Sequence, residues 1–97
     1  MLVDFDILPD KSRIWIYAAE QKLTNDQQIY ILDFLSNHLE SWQAHKLPLI
    51  AGVTILEDYF IVVALDETQS AASGCAIDTL QNKIQQVENK LLIPLMN

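Results

Sequence analysis

The residues best suited to chemistry are few. Cys75 is the only cysteine, and it stands in "SAASGCAID" (70–78), where a loop of small residues gives way to a helical pattern. A helix N-terminus carries roughly half a positive charge, which lowers the pKa of a thiol placed there. Asp78, about one turn on, acts in the opposite sense. A cysteine nucleophile works with a base, most often histidine. Of His38 and His45, His45 is the candidate, with Ser73 assisting, if the end of the first helix meets the start of the second. A lone cysteine is more often a small buried hydrophobe. A cysteine-dependent enzyme or redox sensor is therefore the alternative reading.

His38 and His45 lie seven residues apart, roughly 10.5 Å along a helix axis, which is awkward for sharing one metal ion. No carboxylate sits at helpful spacing, and a single cysteine cannot build a multi-thiolate zinc site. Neither a metal nor a cofactor is expected. The run "FIVVALDE" (60–67) imitates a Walker B strand, four or more apolar residues followed by Asp66 and Glu67. Such a strand serves an ATPase only beside a Gly-rich phosphate cradle. The two glycines, Gly52 and Gly74, are not followed by lysine. The acids read as the place where a buried strand meets a loop.

A third set is Arg13, Trp15 and Tyr17, which alternate along "RIWIYAA" (13–19) and share one strand face. With helices over Ile14, Ile16 and Ala18, the aromatic face would be open, as a binding surface or a dimer interface. RNA-binding sheets stack bases on such aromatics. Here the chain carries 13 acids against 6 bases, a net charge of −7, which repels phosphate backbones and anionic lipids. The expected partner is a second copy, as a homodimer through the open sheet face, with no nucleic acid and no membrane.

The elements that must position these residues follow from pattern. Residues 13–19 read as a strand. Thr24 and Gln27 form a capping-box pattern that opens a helix. Ile29, Leu32, Leu35, Leu39 and Trp42 then recur at three and four, and the helix is expected to run to about His45, before Pro48. "LIAGVTILEDYFIVVALD" reads as two central strands joined at Glu57–Asp58, with Gly52 marking a bulge or a close backbone approach. Ile77, Leu80, Ile84, Val87 and Leu91 define a second helix. "LLIPLMN" adds a short edge strand, where Pro94 is tolerable. This order predicts an α+β domain, a ferredoxin-like split βαβ, β-α-β-β-α with a final short β, two helices covering one face of an antiparallel sheet.

At 97 residues, about half of them apolar, the chain suits one domain with one core. The start "MLVDFDILPD" has no basic n-region and no long apolar h-region, and the longest apolar run is far short of the ~20 residues that span a bilayer. A cytoplasmic location is the default.

"SRIWIY", "WQAHKLPLIA", "YFIVVALDE" and "AASGCAID", in this order and spacing, resemble a family of small uncharacterised bacterial proteins commonly labelled ABC transporter ATPases. The resemblance spans nearly the whole chain. It implies no established activity and no catalytic residues, and ATPase activity is not expected. Similar sequences run on past Asn97, so the resemblance also implies a C-terminal segment able to cover the aromatic face. The residues together predict a non-enzymatic binding or self-assembly module.

Overall fold

The computed structural model describes residues 1–96. A short 3-10 turn (Phe5–Ile7) precedes β1 (Arg13–Ala19), α1 (Asn25–Glu40), β2 (Gln43–Ala44), β3 (Leu47–Pro48), β4 (Ile50–Leu56), β5 (Phe60–Asp66), α2 (Gly74–Leu91) and β6 (Leu95–Met96). The main sheet has the order β4-β5-β1-β6, antiparallel throughout. That is the ferredoxin-like split βαβ order, with β5 inserted between the two strands that flank α1. β2 and β3 form a separate small hairpin.

Thr24 caps α1. Its hydroxyl accepts from Gln27 N–H, and the Gln27 side chain accepts from Thr24 N–H, so the capping box is complete. The helix stops at Glu40 rather than near His45, because Trp42 turns away to bury its ring in the core. Ile31, Leu35 and Leu39 carry the inner face of α1, while Ile29 is exposed. Ser73 caps α2 by accepting from Ala76 N–H, and Ala76, Leu80, Ile84 and Val87 point inward. Along β5, Ile61, Val63 and Leu65 meet these helices. β5 is central, as its continuous apolar run predicts. β4 has only one strand neighbour in the main sheet.

Gly52 marks a close approach. A Cβ there would lie 2.8 Å from Val3 O and 3.1 Å from Phe5 N and Cα. The N-terminal segment crosses the sheet at this point. It first runs beside β4, with Val3 N–H donating to Ala51 O and Ala51 N–H to Met1 O. Only a residue without a side chain lets the backbone pass so near.

Candidate functional site

The aromatic face of β1 is turned inward, which corrects the expected orientation. Tyr17 is 1% exposed and belongs to the core; Trp15 is half-buried and packs against it. The helices cover Trp15, Tyr17 and Ala19, and leave Ile14, Ile16 and Ala18 on the far side. Strand alternation defines two faces but does not say which is covered, and here the larger side chains fill the space under the helices. Trp15 meets Trp42 edge-on with centroids 5.8 Å apart. Arg13 lies over the Trp15 ring at 5.0 Å and pairs loosely with Glu67 at 3.8 Å. The Tyr17 hydroxyl is buried without a partner at hydrogen-bond distance. Burial raises its pKa, and Gln81 across the gap offsets this in part. Arg13, Trp15 and Tyr17 thus form a structural ladder rather than an open binding surface.

Cys75 sits exposed on the first turn of α2, two residues beyond the cap Ser73. The end of α1 does meet the start of α2, through Trp42. Its Nε1–H donates to Ala76 O at 2.9 Å and to Thr79 Oγ1 at 3.2 Å. His45, however, occupies the exposed β2–β3 turn at φ 51°. Among the described residues no hydrogen bond joins Cys75 or His45 to another side chain. The histidine at the helix junction is His38. Its Nε2 lies 3.5 Å from Thr79 Oγ1, and its ring tilts against Trp42 at 6.0 Å. Thr79 donates its one proton to Ala76 O at 2.7 Å, so toward His38 its oxygen is left as an acceptor. Burial lowers the His38 pKa, and Lys83 adds to this. The spacing of His38 four residues before Trp42 on one helix side was the available sequence clue.

Asp66 and Glu67, the Walker-B-like pair, are engaged locally. Asp66 Oδ1 accepts from Thr68 N–H and Oγ1–H at 3.0 and 2.7 Å, which holds its carboxyl below the usual range. Glu67 accepts from Ala72 N–H at 3.2 Å. A cleft of about 420 Å³ lies between Pro9–Ser12 and Asp66–Thr68. Among the described residues no three His, Cys, Asp or Glu side chains gather as metal ligands. No helix among them is long and apolar enough to cross a membrane.

The remaining feature is the uncovered sheet face. Register sets Ile14, Ala64 and Gly52 in one row across β1, β5 and β4 and Ile16, Val62 and Thr54 in the next, with Ala18 between Phe60 and Met96. Ile14, Ile16, Leu56, Phe60 and Met96 are 39–69% exposed. Toward the Gly52 end the N-terminal segment lies over this face. Phe5, Leu8, Pro9 and Ile14 line a small cleft above Ala64.

Comparison with protein-family models, with curated proteins and with solved structures finds no match.

Proposed function

We propose that the chain is a non-enzymatic binding module that self-associates as a homodimer through the open face of its sheet. The observation that carries this reading is the row of exposed apolar side chains on that face, Ile14, Ile16, Leu56, Phe60 and Met96. These side chains surround Val62 and Ala64, which are themselves buried, and a group of exposed large apolar side chains marks an interaction site. β1, β5 and β4 present a face roughly 20 Å long and 15 Å wide. A standard interface buries about 800 Å² per partner, so this face supports a weak, concentration-dependent dimer. Light scattering across micromolar to millimolar protein is the test. A mass that rises toward twice the monomer, and stays at one in Ile16→Lys, supports the reading. A monomer throughout rejects it.

ATPase activity is no part of this reading. Asp66 and Glu67 hold their own loop, and neither glycine belongs to a phosphate cradle.

A second reading draws on the exposure of Cys75 at a helix start. A cysteine-dependent enzyme or redox sensor needs a thiolate at neutral pH. Thiol alkylation with a midpoint well below the ordinary ~8.5 supports it, and an ordinary midpoint removes it.

A further inference from the structure

The main sheet has two edges, and β6 lies at one of them. The other is β4, and it is only half covered. Residues 1–3 run parallel to its first residues, with Leu2 beside Ala51. Val3 N–H donates to Ala51 O at 2.9 Å and Ala51 N–H to Met1 O at 3.1 Å. The backbone of Ala51 therefore points outward. Backbone groups alternate in direction along a strand, so the N–H and C=O of Val53 and Ile55 point outward too. The N-terminal segment does not follow them. At Phe5 it has turned off over Gly52 and onto the open face. Among the described residues Val53 and Ile55 have no outward backbone partner.

The surroundings of this free stretch are specific. Beside Val53 a cleft of about 260 Å³ opens between Leu2–Phe5 and Ser36 of α1. Leu32 and Ile29 precede Ser36 by four and seven residues, on the same flank of the helix. Ile29 is 66% exposed. Gln28, one residue earlier, donates to the Asp58 carboxylate at 3.0 Å, which sets this end of α1 against the end of β4. Acids stand at both ends of the stretch, Asp4 in the cleft and Glu57 just past Leu56. Among the described residues neither has a salt-bridge partner, and no residue lining the cleft is basic.

We infer that the β4 edge takes an extended basic segment of another protein as an added strand. Val53 and Ile55 each offer one donor and one acceptor, so a paired strand makes four hydrogen bonds with them. Residues directly opposite Val53 and Ile55 put their side chains on the same sheet face as these two, beside the Ile29–Ser36 flank. Those positions call for apolar side chains. The positions just outside them call for lysine or arginine, facing Asp4 and Glu57. A second copy of this chain fits the edge poorly. In a symmetric pairing centred on Thr54, Leu56 of one copy would fall beside Gly52 of the other, where Val3 already lies. The edge is separate from Ile14 and Ile16, so the inference stands whether or not the open face self-associates.

NMR of micromolar protein with a millimolar blocked peptide, acetyl-Lys-Val-Thr-Val-Lys-amide, tests this. In the free protein the Val53 and Ile55 amides should exchange at least about tenfold faster than those of Gly52 and Thr54, which face β5. The peptide should shift the Val53, Ile55 and Ser36 signals. N-methylation of its two valines removes the N–H groups aimed at β4 and should abolish the shifts, whereas N-methylation of its threonine should leave them. Replacing both lysines by glutamine should weaken binding roughly two- to tenfold, and Asp4→Asn with Glu57→Gln should do the same to the lysine peptide. No shifts at millimolar peptide, or shifts that survive N-methylation of the valines, overturn the added strand. Slow exchange at Val53 and Ile55 in the free protein shows the edge already covered and overturns it as well. A glutamine peptide that binds as tightly as the lysine peptide overturns the basic partner.

Discussion

Single residues decide how this chain closes on itself. Gly52 is the clearest case. The only space for a Cβ is already held by the backbone of Val3 and Phe5, and backbone cannot swing aside as a side chain can. Gly52→Ala should cost about 1–3 kcal/mol, the usual penalty of overpacking, read from urea unfolding. An unchanged midpoint would show that the N-terminal segment is not packed there. His38 sets a pH dependence. Its folded pKa lies below the ordinary 6.5 because burial, aided by Lys83, disfavours the cation. The unfolded chain therefore binds the proton more readily. Stability is full above pH 6.5 and falls as the pH drops from there toward the folded pKa. His38→Gln should flatten that part of a stability–pH curve; an identical slope in the variant would assign the dependence elsewhere. The role of Gly52 was legible in the sequence, since a glycine inside an apolar strand has few other reasons. The placing of Trp15 and Tyr17 was not. Alternation is symmetric between the two faces, and only helix packing breaks that symmetry.

At the scale of elements, caps and apolar periods were readable and the tight turns were not. Thr24, Gln27 and Ser73 sit where capping chemistry puts them. The β2–β3 hairpin escaped notice because its turn residues, His45 and Lys46, both adopt positive φ without being glycine or asparagine. The Asn-Gly pattern that announces such a turn is absent. The helical period, which carries on from Leu39 to Trp42, then disguised the end of α1. Glu57 and Asp58 repeat this turn between β4 and β5, at φ 55° and 60°. Asp58 is held in place, since its backbone O accepts from Leu23 N–H and its carboxylate from Gln28 Nε2. Among the described residues Glu57 has no such hydrogen bond, and left-handed backbone costs an ordinary residue roughly 1 kcal/mol. Glu57→Gly is therefore expected to raise stability by about 0.5–1 kcal/mol, less the entropy that glycine adds to the unfolded chain. Thermal unfolding reads this directly, and a lowered midpoint would count against strain in the turn.

At the scale of the whole molecule, the split βαβ arrangement was legible because the hydrophobic runs follow one another in the order strand, helix, strand, strand, helix, strand; the order of the strands in the sheet, β4-β5-β1-β6, was not, since a strand's period does not name its neighbour. The proposed interaction surface was legible only in kind. An open sheet face was expected to carry Trp15 and Tyr17; the exposed side chains on the open face are Ile14, Ile16, Leu56, Phe60 and Met96. Charge then sets how that surface behaves. Two chains of net charge −7 repel each other, and salt screens this over about 8 Å at physiological strength. Apolar contact does not weaken in the same way. The dimer should therefore tighten as salt rises, the reverse of an assembly held by ion pairs.

The central claim is self-association at the Ile14–Ile16 side of the sheet, and sedimentation equilibrium tests it most directly. Wild type and Ile16→Lys are compared over the same concentrations, at low and at raised salt. The account predicts a wild-type monomer–dimer equilibrium that strengthens with salt, beside a variant that stays monomeric while folded. A wild type that remains monomeric at millimolar concentration and raised salt would contradict it.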